Sequence, residues 1–206
     1  MEGFAIYIIG HKLIIDKAQE LSKQVLILVG SASESHTLRN PFTSDFRIEL
    51  LKKVYNNKNI RIEKLNDMTN EYDISYEWGE YVIDNVKKHE GKFADIIVTG
   101  NDDLRKGWFS KEQMKNTKEI LIDRKKLDIS ATELRGYLLL RDKENWKKYV
   151  PEEIIDDFEQ IKNKLLEVKE YKEILEKIKN EKTIENFKNI YKKYEEKDKK
   201  EKLKNN

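Results

Sequence analysis

Five short apolar runs mark the first three quarters of this chain: Phe4–Ile9, Val25–Val29, a weaker one around Ile60–Ile62, Ile96–Val98 and Glu119–Ile122. Each has strand length, is rich in Ile and Val, and does not alternate with polar residues. Runs of that kind suit strands covered on both faces, as in a parallel sheet. Between them the apolar spacing turns helical, over Lys12–Lys23, Ser44–Tyr55, Tyr76–Lys88 and a shorter stretch at Ser110–Asn116. Strand alternating with helix predicts an α/β, Rossmann-like fold: a parallel five-stranded sheet with helices on both faces, joined by right-handed crossovers. Ligands of such sheets bind beyond the carboxyl ends of the strands. The loops after Ile9, Val29, Val98 and Ile122 are therefore where function is expected.

A different pattern begins near Pro151, after which Gly and Pro vanish. Ile154, Phe158, Ile161, Leu165, Val168, Leu175 and Ile178 fall mostly three or four apart, and Ile184, Phe187, Tyr191 and Tyr194 repeat the spacing after a break at Asn180–Thr183. This predicts an amphipathic helical extension. The division expected is a domain over 1–155 and a charged helical tail over 156–206. The pattern leaves open whether the tail packs on its own domain, oligomerises or recruits another protein.

Charge changes this picture little. Charged residues make up 39% of the 206, but 41 Lys and Arg nearly balance 39 Asp and Glu. A net charge of +2 supplies no field that would gather nucleic acid or an acidic membrane, and neither partner is expected. The absence of Cys excludes disulfides and thiolate chemistry, and three scattered His residues form no metal-ligand spacing. No apolar run has bilayer length and no leader pattern is evident, so a cytoplasmic location is expected.

Three segments offer chemistry. Gly30-Ser31-Ala32-Ser33-Glu34-Ser35-His36-Thr37-Leu38-Arg39-Asn40-Pro41-Phe42-Thr43 follows the second run and places hydroxyls and backbone N–H groups at a strand end. Asn-Pro is also a turn signal, and Thr43 is a good N-cap. Ile129-Ser130-Ala131-Thr132-Glu133-Leu134-Arg135 follows the last run. Ser130 and Glu133 have capping-box spacing. That cap requires neither Thr132 nor Arg135, which share one face of the first turn, where unpaired N–H groups also favour an anion. Gly10-His11 joins the first run to the first helix. His11 suits either a phosphoryl contact or a buried structural role.

Together these segments resemble nicotinamide-mononucleotide adenylyltransferase of the archaeal and phage type, within the H-x-G-H nucleotidyltransferase superfamily. Asp73-Ile74, Trp78, Val98-Thr99-Gly100-Asn101, Trp146 and Val150-Pro151 fit the same order, and the likeness covers about residues 4–155. The first motif departs from the pattern: Gly10-His11 is kept, but Ile8 stands where the first His belongs and the loop Arg has no counterpart. Phe4–Ile9 is read as the first strand with a shortened loop; the other reading starts the chain inside that loop.

The resemblance implies transfer of the adenylyl group of ATP to nicotinamide mononucleotide, giving NAD and pyrophosphate, with Mg²⁺ accompanying ATP. It implies catalytic roles for His11 and Arg135. ATP would be bound by Gly10, His11, Ser130, Thr132 and Arg135, and nicotinamide mononucleotide by Ser31, Asn40, Trp78, Gly100 and Asn101. A homo-oligomer is implied as well. The alternative weighed is a catalytically degenerate member that binds NAD or ATP as a sensor or scaffold; a less favoured one is a nucleotidyltransferase with another acceptor.

Overall fold

The computed structural model describes residues 9–68, 76–100, 107–123 and 129–204. Four of the five expected strands are seen there: β1 (Val25–Val29), β2 (Ile60–Lys64), β3 (Ile96–Gly100) and β4 (Lys118–Ile122). β1 pairs in parallel with β2, Val25 opposite Ile60, and β3 in parallel with β4, Ile96 opposite Lys118. Among the described residues these pairs make two two-stranded sheets and no five-stranded one. β1 and β3 nonetheless line one shared cavity of about 1110 Å³.

The first expected strand falls largely on residues outside the described ones, and its last residue is not extended. Helix α1 runs over Ile9–Leu21, so Ile9, Gly10 and His11 form its first turn. The predicted start at Lys12 is three residues late. The cost of a helical Gly is small compared with what the buried face of α1 gains by packing Ile15 into the core. Residues 111–116 form successive turns instead of the expected short helix. There Ser110 N–H donates to Gln113 Oε1 and Gln113 N–H to Ser110 Oγ, and so short a segment does not repay helix nucleation.

The remaining helices follow the pattern. α2 (Ser44–Val54) is capped by Thr43, whose hydroxyl accepts from Phe46 N–H. α3 covers Tyr76–Glu90 and α4 Ala131–Leu140, with Ser130 Oγ accepting from Glu133 N–H at 3.1 Å. The reciprocal half of that capping box is not made. Glu133 instead accepts from Tyr137 Oη at 3.3 Å and pairs with Lys188 at 3.1 Å.

Beyond the short α5 (Lys143–Trp146), two 3₁₀ turns lead into α6 (Phe158–Leu165), α7 (Lys169–Lys177) and α8 (Ile184–Lys204). The break between α7 and α8 falls where the sequence places it. These tail helices pack back onto the α/β unit: Phe158, Ile161, Leu165, Tyr171, Ile174, Phe187 and Tyr191 share one buried cluster with Val29, Phe42, Leu50 and Leu134. Gly136 is what brings α8 against α4. A Cβ there would lie 2.4 Å from Ile184 Cδ1 and 2.6 Å from Phe187 Cδ1. A second, smaller cluster joins Leu65, Trp78 and Trp108.

Candidate functional site

β1 ends in Gly30, and the next residue, Ser31, is held at φ 49°, a left-handed conformation that side-chain-bearing residues rarely adopt. The device that holds it is Arg47 of α2, itself only 3% exposed. Its Nη1 donates to the Gly30 carbonyl at 2.8 Å and its Nη2 to the Ser31 carbonyl at 2.7 Å. Burial pushes the Arg47 pKa down from its ordinary value, while Asp67 and Glu34 pull it back up. Asp67 follows β2 and accepts hydrogen bonds from the Ser33 backbone and the Ser31 side chain. Even so its own pKa is raised, because burial outweighs those bonds and the attraction of Arg47.

The loop after this clamp is folded on itself. Asn40, 2% exposed, donates from Nδ2 to Glu34 Oε2 at 2.5 Å and from its backbone N–H to Thr37 Oγ1 at 3.0 Å. His36 is a second left-handed residue, at φ 58°. Ser44 Oγ donates to the Ala32 carbonyl at 3.2 Å, so the first residue of α2 ties the start of the loop. Strain at Ser31 and His36 is local and is sustained by these surrounding bonds.

At the other segment, Arg135 lies in the first turns of α4 and is 4% exposed. Its Nη2 donates to Thr132 Oγ1 at 3.1 Å and to Tyr191 Oη at 3.1 Å, and its guanidinium carbon sits 5.5 Å from the centre of the Tyr191 ring. Ser130 at the helix start is exposed. Two buried tyrosines of the tail stand between this segment and the loop after β1. The Leu38 carbonyl accepts from Tyr171 Oη at 2.6 Å and, at 3.5 Å, from Tyr191 Oη. Tyr191 thus bridges Arg135 of one segment and Leu38 of the other.

The cavity between β1 and β3 takes His11, Gly30 and Gly100 from the predicted residues. His11 is 8% exposed in the first turn of α1, beside a helix N-terminus that favours negative charge. Ser130, Thr132 and Arg135 do not line this cavity, nor does Trp78. Trp78 is 4% exposed, edge-on to Trp108 with centroids 5.6 Å apart and tilted against Tyr81 at 5.4 Å. Gly79, next to it, brings α3 so close to Trp108 that a Cβ would lie 1.8 Å from the Trp108 carbonyl oxygen. Asn101, Asp73 and Ile74 lie outside the described residues.

Sequence reasoning missed Arg47, Glu34 and Asp67, which order the loop, and Tyr171 and Tyr191, which join the loops. Among the described residues no group of three or more His, Cys, Asp or Glu stands close enough to hold a metal ion. No described helix is long and apolar enough to cross a membrane.

Against known proteins, the profile of the cytidylyltransferase-like family matches residues 4–201. A nicotinamide-nucleotide adenylyltransferase of Methanococcus vannielii is 34% identical over 149 residues, covering 71% of this chain and 78% of that protein. One from Methanococcus maripaludis is 32% identical over 152 residues, 74% of this chain and 82% of its own length. One from Thermococcus sibiricus is 31% identical over 160 residues, with 74% and 77% covered.

Proposed function

The chain belongs to the cytidylyltransferase-like family, and from that premise we propose that it transfers the adenylyl group of ATP to nicotinamide mononucleotide, releasing pyrophosphate and forming NAD. Its archaeal relatives carry the name of that activity and align with most of their length. The structural observation that supports the reading is that Tyr191 of α8 links Leu38, in the loop after β1, to Arg135 at the start of α4.

In this reaction a phosphate oxygen of the mononucleotide attacks the α-phosphorus of ATP, and the bond from that phosphorus to the bridging oxygen of pyrophosphate breaks. The attacker is already an anion at neutral pH, so no side-chain nucleophile is needed. The protein's task is to align the reactants and to stabilise charge on the transferred group. Arg135, Thr132 and Ser130 form the triphosphate side, where the cation and the N-terminus of α4 act in the same sense. Gly10 and His11, at the N-terminus of α1, serve the phosphoryl oxygens. Ser31, Asn40, Gly100 and Asn101 hold the mononucleotide. Trp78 would stack on nicotinamide, which requires a ring face now covered by Trp108 and Tyr81. Mg²⁺ would come with ATP and would neutralise phosphate charge, since no cluster among the described residues would hold it.

The five-stranded sheet expected from the sequence belongs to this reading. The same reading carries a cytoplasmic location and a homo-oligomer, the latter checked by light scattering. The reaction is tested by incubating the protein with ATP, Mg²⁺ and nicotinamide mononucleotide and assaying NAD. Formation of NAD that falls about 10²–10³-fold in Arg135→Ala supports it. ATP binding without NAD would return the chain to a nucleotide-binding role, and product only with a different acceptor nucleotide would reassign the substrate.

A further inference from the structure

We propose that Tyr191, carried by the C-terminal helix, is a positioning residue that sets the guanidinium of Arg135 for ATP. The inference rests on the adenylyltransferase reading for the identity of the ligand, and on α8 for its geometry. The apolar stripe of α8 needs only a ring at this position, and Phe187, one turn earlier, provides just that. The hydroxyl is extra to packing. It lies in a buried environment, where a polar group is costly unless it is bonded.

Its bonds are specific. Both protons of Arg135 Nη2 are used, one on Thr132 Oγ1 and one on Tyr191 Oη, and this fixes the plane of the guanidinium. Because the phenol oxygen accepts from Arg135, its own proton is left for an acceptor on the far side, where Tyr171 Oη, with which it shares a hydrogen bond, and the Leu38 carbonyl, 3.5 Å away, both stand. With Tyr171, whose own hydroxyl donates to Leu38 at 2.6 Å, the Tyr191 hydroxyl ties the orientation of the ATP-side cation to the mononucleotide-side loop. The ring lies under the guanidinium, so the cation is also held from one face. An arginine with one nitrogen locked and its plane set loses less freedom when it meets a phosphate.

The test uses Tyr191→Phe, which keeps the ring and removes the hydroxyl, with calorimetric titration of Mg-ATP and of nicotinamide mononucleotide. A charge-assisted hydrogen bond of ordinary strength predicts a Kd for ATP raised about tenfold or more, with mononucleotide affinity changed less than about twofold. In an Arg135→Lys background the Phe substitution should add less than about twofold, since its partner is gone. Tyr194→Phe removes another α8 hydroxyl, one bonded to Glu173 and Lys177; it should leave ATP affinity unchanged. Unchanged ATP affinity in Tyr191→Phe overturns the proposal. So does a parallel loss of both ligands that tracks a fall in Tm, because a merely structural hydroxyl would act that way. A wild-type chain that binds no ATP overturns it together with the reaction. One that binds ATP and shows the predicted loss, yet forms no NAD, upholds the positioning role and rejects only the reaction.

Discussion

Tyr171 Oη donates to the carbonyl oxygen of Leu38 at 2.6 Å, closing a contact across 133 residues of chain. Tyr171 is fully buried, and burial raises its pKa well above the ordinary tyrosine value, so it remains a donor throughout the working pH range. Leu38 sits in the middle of the loop that follows β1, which makes a tail residue one of the fixed points of that loop. Tyr171→Phe leaves a buried carbonyl short of its best donor and should cost about 1–3 kcal/mol. Urea unfolding with an unchanged slope and a lower midpoint would register it. A variant as stable as the wild type would show that Leu38 is held by other means.

Gly136 makes a second prediction. Alanine there gains about 1 kcal/mol of helix propensity, but its methyl enters space held by Ile184 and by Phe187, which is 0% exposed. Overpacking of a filled core costs typically 1–3 kcal/mol, so the net change should be a loss. Gly136→Ala should lower Tm, and hydrogen exchange should rise first in α8. A higher Tm would mean that α8 can shift away from α4 without penalty.

Arg47 carries the third. Replacing it with Met keeps much of the aliphatic stem but removes donors from two adjacent carbonyls at the turn after β1. With charge-assisted bonds worth more than neutral ones, about 3 kcal/mol should be lost. Ser31 would also lose the bond that holds its left-handed backbone. Amide exchange at residues 31–34 should accelerate more than global unfolding explains; equal protection in both proteins would remove Arg47 from the account.

Asp67 gives a pH signature. Its pKa is raised in the folded protein, chiefly by burial, so between the ordinary aspartate value of about 3.9 and the folded value the native state holds more proton than the unfolded one. Stability from this group therefore falls as pH rises through that window and stays low above it. Asp67→Asn fixes a neutral side chain and should be more stable than wild type at pH 7, with the advantage gone below about pH 4. Denaturation at both pH values reads this directly, and a less stable Asn variant at pH 7 would mean that the attraction of Arg47 outweighs desolvation.

Much of the architecture could be read from local pattern. The four apolar runs from Val25 to Ile122 are the observed strands within a few residues, because β-rich runs bounded by polar segments have few other structures open to them. Thr43 and Ser130 cap the helices their positions announce. What was not legible depends on distance in sequence. Arg47 looks like any polar residue of an amphipathic helix until α2 lies under the end of β1. The phenols of Tyr171 and Tyr191 count as apolar in a helical stripe, and nothing nearby reveals that their oxygens have partners 133 and 56 residues away. The role of the tail stayed open for the same reason: an amphipathic face records that something covers it, not what. The two-faced burial expected of every strand also proved uneven, with Leu121 of β4 56% exposed on a strand that pairs on one side among the described residues.

The seating of Arg135 by Tyr191 bears on how the protein comes into being. During synthesis the sheet strands, the loop around Leu38 and the start of α4 all leave the ribosome before residue 191 exists. Nascent chains can collapse early, but here Arg135 has Thr132 without its second partner, Tyr191, until α8 emerges. A ribosome stalled after α4 would display the loop around Leu38 and the start of α4 without the tyrosine that links them.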